Sequence, residues 1–275
     1  MQLHAGAEAI RRIAFETLGS TNAEALAQVR AGERGPLWVT AVRQTAGRGR
    51  RGSAWTSEPG NLYASLLLTD PAPPAHLPEL CFVVALGVLD AATAVAAQLA
   101  PVLKLKWPND LLLDGAKLAG ILIEAESHGE STAVAAGIGI NCAHHPSGLA
   151  YPVTSLAAHG AAVTPDDLFQ ALSRALMQRL AQWNRGSGFA GIRAEWLKHA
   201  AGIGGDIVVR LTDRELSGRF ETLDRMGRLM LRLPAGKLEA ITVGEVFGRT
   251  QDAVARPQGV VACPQGNVAR PQGAP

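Results

Sequence analysis

The sequence predicts an α+β protein: a mixed or antiparallel sheet with flanking helices, followed by a small β-barrel. Three observations predict it. Strand signals arrive in neighbouring runs instead of alternating one for one with helices, which disfavours a doubly wound sheet. An Ala/Leu-rich stretch at 80–99 and two later segments, 165–185 and 189–199, read as helices. After Ala201-Gly202 the texture changes to short alternating strands separated by turn residues. The expected organisation is a main domain over 1–200, a barrel over 201–249, and a tail over 250–275.

In order, residues 8–18 read as a strand, and Ser20 or Thr21 can cap a helix that runs through Ala27. Leu37 to Val42 is a strand, and Leu62 to Leu68 another. Leu103 to Trp107 alternates apolar and basic residues, and Pro108 breaks it. Leu111 to Leu113 and Lys117 to Glu124 flank Asp114-Gly115, a hairpin turn pair. Ala133 to Asn141 is a strand interrupted by glycine, and 144–160 is a loop. In the barrel, strands are expected at 207–209, 216–221, 229–233 and 238–243. The tail repeats Pro-Gln-Gly every seven residues. Proline and glycine exclude a coiled coil, so low-complexity disorder is expected.

The chain has 275 residues, 47% of them hydrophobic, which is enough for a substantial core. A net charge of +2 argues against a dominant nucleic-acid surface. Three cysteines (Cys81, Cys142, Cys263) without metal spacing support neither a disulfide framework nor a zinc site. No secretory signal is visible. The apolar run from Cys81 to Leu103 contains Asp90 and Gln98 and reads as a buried helix, not a membrane span. The expectation is a cytoplasmic protein with no membrane and no nucleic-acid partner.

The most informative stretch is Arg43-Gln-Thr-Ala-Gly-Arg-Gly-Arg-Arg-Gly-Ser-Ala-Trp55. Glycines permit unusual backbone, and arginines offer donor forks for phosphate or carboxylate. The pattern describes a mobile cationic loop that closes over an anion, or a solvated charge run. It matches neither a P-loop nor a Rossmann fingerprint.

This loop is followed by Lys106-Trp-Pro-Asn-Asp110, Lys117-Leu-Ala-Gly-Ile-Leu122 and Gly137-Ile-Gly-Ile-Asn141, with Ser20-Thr21-Asn22 and Gln44 upstream. In this order and spacing the series resembles the biotin protein ligase family, from about Phe15 to Phe247. The resemblance implies a catalytic domain of the class II aminoacyl-tRNA synthetase-like, biotin/lipoate ligase type, and an SH3-like C-terminal barrel. It implies that ATP and biotin, with Mg²⁺, form biotinyl-5′-adenylate. Biotin then passes to a lysine of a biotin carboxyl carrier protein. Relatives dimerise by edge pairing, so a homodimer is possible. Many relatives also carry an N-terminal winged helix-turn-helix, for which 19 residues before Ser20 leave no room, so no operator binding is expected.

Site roles follow from the resemblance. Lys117 bridges the biotin carboxylate and the α-phosphate and stabilises developing charge; without the motif it would be a solvent-facing lysine after a turn. Arg50 shares the catalytic role and, with Arg51, contacts phosphate. Arg48, Gly49 and Arg50 form the biotin loop. Ser20, Thr21, Asn22 and Gln44 meet the ureido ring, although Ser20 and Thr21 also suit a helix cap. Gly120 and its apolar neighbours hold the thiophene ring and valeryl chain. Trp55 stacks on adenine or buries itself in the core. Asn109 contacts the nucleotide or the metal, and Asn141 meets the adenosine or its phosphate. Asp110 helps to hold Mg²⁺, or forms an ordinary Pro-Asn-Asp turn. His144 and His145 are loop residues on the adenine side. The rivals are a lipoate or octanoate transferase, whose R-R-x-x-G-G-G-type signature is missing, a nucleic-acid binder using the Arg/Gly loop, and a catalytically silent biotin sensor.

Overall fold

The computed structural model describes residues 10–248. Residues 8 and 9 of the expected first strand, the tail 250–275 and Cys263 lie outside them.

The main sheet has seven strands in the order β1-β2-β3-β7-β6-β5-β4. β1 (Arg11–Leu18) pairs in parallel with β2 (Leu37–Gln44), and every other pair in the sheet is antiparallel. The sheet is therefore mixed, as expected. β3 (Leu62–Thr69) lies at the centre beside β7 (Ser131–Ile140), and the long β6 (Ala116–His128) follows. β4 (Leu103–Lys106) and β5 (Asp110–Leu113) complete the far edge. The β5–β6 turn has positive φ at both Asp114 (50°) and Gly115 (79°), as a two-residue primed turn requires.

The short helix α1 (Thr21–Arg30) begins at Ser20, whose hydroxyl accepts from Ala23 N. α2 (Leu80–Val95) is buried nearly all round, as a core helix is. With its 3-10 lead-in, Pro74–Val95 is long and apolar enough to cross a membrane, yet 67% of that window is buried inside the protein. α3 (Pro165–Trp183), capped by Thr164, and α4 (Phe189–Lys198) pack against it, and Phe82 meets Trp196 edge to face at 5.6 Å. The helix expected over 80–99 stops at Val95. Ala96 leaves helical geometry (φ −144°, ψ 61°), and a 3-10 segment containing Pro101 follows, because proline cannot supply the next helical donor.

The C-terminal sheet is antiparallel, in the order β11-β10-β9-β8-β12. Its strands are β8 (Asp206–Arg210), β9 (Glu215–Leu223), β10 (Leu229–Arg232), β11 (Leu238–Ile241) and β12 (Glu245–Gly248). The expected last strand ends two residues early, and β12 was not anticipated. The four residues Glu245–Gly248 carry too little alternation to signal a strand. The sheet shares the main core through Phe220, Leu223, Leu229 and Leu231, and Trp107 Nε1 donates to Gly227 O at 3.1 Å.

Candidate active site

A cleft of about 200 Å³ lies over β6 and β7, between the Arg/Gly loop and β12. Its floor follows from the glycine alternation. Gly120 sits directly opposite Gly139, and Leu122 opposite Gly137. A methyl group on Gly137 would lie 2.4 Å from Asn22 Oδ1, and one on Gly139 would lie 2.6 Å from the Trp55 ring. These glycines let Asn22 and Trp55 rest on bare backbone. The Gly-x-Gly of β7 is thus a steric requirement, with Ile138 between the glycines and Ile140 after them both buried.

At one end the side chains are polar, and Ser20, Thr21, Asn22 and Ser65 are buried. Gln44 Oε1 accepts from Thr21 N at 2.8 Å and from Thr21 Oγ1 at 3.1 Å, while its Nε2 donates to Ser57 Oγ at 2.9 Å. Ser65 donates to Asn22 Oδ1 at 2.6 Å and lies 2.8 Å from Thr21 Oγ1. Asn22 Nδ2 donates to Leu122 O (3.1 Å) and to Glu124 Oε2 (2.8 Å). Both lone pairs of Gln44 Oε1 are occupied, so its oxygen holds Thr21 in place, while Nε2 keeps a second N–H beyond the one given to Ser57.

At the other end the groups are charged. Lys117 Nζ lies 2.8 Å from Asp110 Oδ1, both side chains being largely buried. That oxygen is shut off from solvent and meets no donor in hydrogen-bond geometry, so the nearby ammonium compensates it by charge alone. Trp55 and Tyr151 place their rings 5.5 and 5.7 Å from the same ammonium. A bulge opposite Leu111/Leu112 interrupts the β5–β6 register, and the Lys117 side chain reaches over Gly120, with Cε 3.3 Å from where a Cβ there would sit. The segment 152–154 runs alongside: Lys117 N donates to Pro152 O and Thr154 N to Lys117 O. Behind this end, Cys81 Sγ donates to Pro108 O at 3.2 Å, and burial pushes its thiol up to about 12.

The Arg/Gly loop is folded as a small hairpin. Arg48 bridges Ala54, Gly49 N donates to Ser53 O, and Trp55 N donates to Gly47 O. Its tip turns at Arg51 (φ 54°) and Gly52 (φ 76°). Arg50 Nη1 reaches Asn109 Oδ1 at 3.1 Å and Gly244 O at 3.4 Å, tying the loop to the turn after β4 and to the C-terminal sheet. The Trp55 indole N–H is buried without an acceptor.

Ser20, Thr21, Asn22, Gln44, Arg48, Gly49, Arg50, Trp55, Asn109, Asp110, Lys117 and Gly120 all line this cleft, as the sequence suggested. Arg51 and Asn141 do not line it. Arg51 is exposed at the loop tip. Asn141 is buried, and its Nδ2 donates to Thr154 O at 2.9 Å, holding the segment that flanks Lys117. In this geometry the Asn141 amide supports the 152–154 segment and does not face the cleft. His144 and His145 also lie off the cleft; His144 Nε2 is 2.7 Å from Pro59 O.

Sequence reasoning missed Tyr151, Ser65, Glu124 and the β12 wall of Glu245, Val246 and Phe247. The Phe247 ring lies between Lys106 (5.2 Å) and Arg210 (4.6 Å). Only the charge at position 124, at cleft-face spacing from Gly120 and Leu122, offered a signal. Among the described residues no group of three His, Cys, Asp or Glu side chains could hold a metal.

Comparison with known proteins agrees with this geometry. Residues 16–141 match the biotin/lipoate A/B protein ligase family, and residues 202–249 match the biotin protein ligase C-terminal domain. The biotin–[acetyl-CoA-carboxylase] ligase of Paracoccus denitrificans is 42% identical over 238 residues, covering 83% of this chain and 96% of that protein. A bifunctional ligase/repressor of Bacillus spizizenii is 32% identical over 72% of this chain and 62% of its own length. A solved biotin protein ligase from Aquifex aeolicus, in complex with biotin and ATP, superposes with a TM-score of 0.71 at 24% identity. The match covers 86% of this chain and 97% of that one and establishes the likeness of fold. Identity at this level along almost the full length of a relative, together with matches in both domains, places this chain in the biotin protein ligase family.

Proposed function

We propose that this protein is a biotin–protein ligase that activates biotin with ATP and transfers it to a lysine of a carboxylase's biotin-carrier domain. The observation that carries the reading is the position of Lys117. Its ammonium sits where a hydrogen-bonding half of the cleft, built around Thr21, Asn22 and Gln44, meets a half built from Arg50, Asn109 and Asp110. Biotin needs the first half for its ureido ring, and two approaching anions need the second.

In the first step a biotin carboxylate oxygen attacks the α-phosphorus of ATP. The bond to the β-phosphoryl oxygen breaks, leaving biotinyl-5′-adenylate and pyrophosphate. Lys117 exchanges part of its pairing with Asp110 for the carboxylate and α-phosphate, lowering their repulsion and stabilising the charge that develops. Arg50 draws the loop over the cleft and adds donors to the phosphate. Thr21, fixed by Gln44, and Ser20 and Asn22 beside it present polar atoms to the ureido ring. Arg48, Gly49 and Gly120 bring backbone close to the ligand. Trp55 walls the middle of the cleft, its ring laid on Gly139 and Gly120. In the second step the acceptor lysine, as a free amine, attacks the acyl carbon, loses a proton and displaces AMP. A closed loop shields the anhydride from water meanwhile.

Asp110 can offer one carboxylate oxygen to Mg²⁺, and ATP phosphates and several waters would supply the remaining ligands, a common arrangement for this ion. The ion would neutralise phosphate charge during the first step. A homodimer, if formed, would use the outer edge of β1, the edge strand opposite β4.

The test is biotin-dependent exchange of pyrophosphate into ATP, with lipoate as the competing substrate. The reading expects exchange with biotin and none with lipoate. Exchange with lipoate alone would mark a lipoate-activating enzyme. Biotin binding without exchange would mark a silent sensor.

A further inference from the structure

We propose that Glu124 is a positioning residue that clasps the Arg/Gly loop to helix α1 and thereby sets the affinity of the cleft for biotin. This rests on reading the cleft as the biotin site. Glu124 follows Gly120 and Leu122 at two-residue intervals on β6, so it extends the cleft face beyond the floor. Its neighbour across the strand pair is Ala135, which leaves room above. One carboxylate oxygen accepts from Asn22 Nδ2 at 2.8 Å, and the other lies 3.2 Å from Arg48 Nη2. A single side chain therefore joins three segments distant in sequence: α1, the loop and β6.

The two halves of the clasp differ in strength. Arg48 is about half exposed (48%), so its ion pair is screened and weak. Asn22 is only 3% exposed, and its amide is held at three points, by Ser65, Leu122 O and Glu124. Losing Glu124 strands one donor of a buried amide that faces the ligand. The cost falls on binding, because Lys117 and Arg50 are untouched.

The experiment measures biotin-dependent ATP–pyrophosphate exchange for the wild type, Glu124→Ala and Glu124→Gln, together with amide hydrogen exchange of the loop without ligand. Glu124→Ala should raise the KM for biotin by about tenfold with kcat within about twofold, the effect of one lost charge-assisted bond to a buried group. Glu124→Gln keeps an oxygen for Asn22 and loses the ion pair, so it should raise KM by about threefold at most. The Gly49 and Trp55 amides, bonded across the loop hairpin, should exchange faster in both variants. A wild-type KM in Glu124→Ala, or a fall in kcat at constant KM, overturns the proposal. If Glu124→Ala does not fold, the loop amides of Glu124→Gln decide: faster exchange supports the clasp and unchanged exchange refutes it. If the wild type shows no biotin-dependent exchange, the ligase reading fails by itself. The loop amides then decide the clasp, and unchanged exchange in Glu124→Gln refutes it.

Discussion

At the Asn22 end of the cleft, buried polar side chains are bonded to one another, whereas at the Lys117 end buried charges lean on a single opposite charge. Thr21, Asn22, Gln44 and Ser65 form a network with little left to reorganise. Lys117 and Asp110 make an ion pair that an incoming anion can compete for. A fixed end suits recognition of a neutral ring, since an unpaired polar group in either partner is costly. A charge-compensated end suits catalysis, since the groups aimed at the transition state are already in place. One strand, β6, serves both, with Lys117 near its start and Glu124 further along.

Substitutions at the two ends should therefore fail differently. The largest effect is expected for Lys117→Ala, with kcat for adenylate formation falling by about 10²–10³-fold while biotin binding by calorimetry changes far less. Equal losses in both would erase the distinction between the ends. Gly137→Ala should act on the other end: its methyl group would meet Asn22 Oδ1 at 2.4 Å. It should weaken biotin binding and, as overpacking does, cost about 1–3 kcal/mol in denaturant unfolding. Unchanged biotin affinity would mean that the polar end is softer than described. Asn141→Ala leaves Thr154 O unpaired beside Lys117 and should cost about 1–3 kcal/mol of stability. Its kcat should fall without a new defect in nucleotide KM; a rise in the KM for ATP alone would restore a direct nucleotide contact.

The smallest effect concerns Cys81, behind the charged end. Burial raises its folded pKa from 9.0 to about 12, so the folded state keeps a proton that the unfolded state has lost. This contribution to stability is intact below pH 9 and is lost as pH rises toward 12. Unfolding midpoints of the wild type should therefore decline more steeply above pH 9 than those of Cys81→Ala. Parallel curves would contradict the raised thiol pKa.

The sequence carried much of this picture because its strongest signals are local. The Asp114-Gly115 turn, the Ala/Leu run of α2 and the Ser20 cap each depend on neighbours in the chain, and each formed, α2 ending four residues short of the expected 80–99. The Gly-Ile-Gly of β7 was visible as an interruption, but its reason was not. Only the fold shows that Asn22 and Trp55 press onto those glycines from elsewhere. Asn141 looked like a ligand residue because it ends the same motif, yet its amide faces Thr154 inside the protein. The β12 wall was illegible for a related reason: four residues carry little periodicity, and their place beside the cleft is set by pairing with β8. Long-range juxtapositions, such as Glu124 meeting both Asn22 and Arg48, leave no pattern in a single sequence.

The most direct test of the central claim is to quench an equimolar mixture of enzyme, biotin and ATP with Mg²⁺ and detect bound biotinyl-5′-adenylate by mass spectrometry. The wild type should hold the ester in near-stoichiometric amount, and Lys117→Ala should hold almost none over the same time. Equal ester in both proteins would contradict the role given to Lys117, and none in the wild type would contradict the ligase itself.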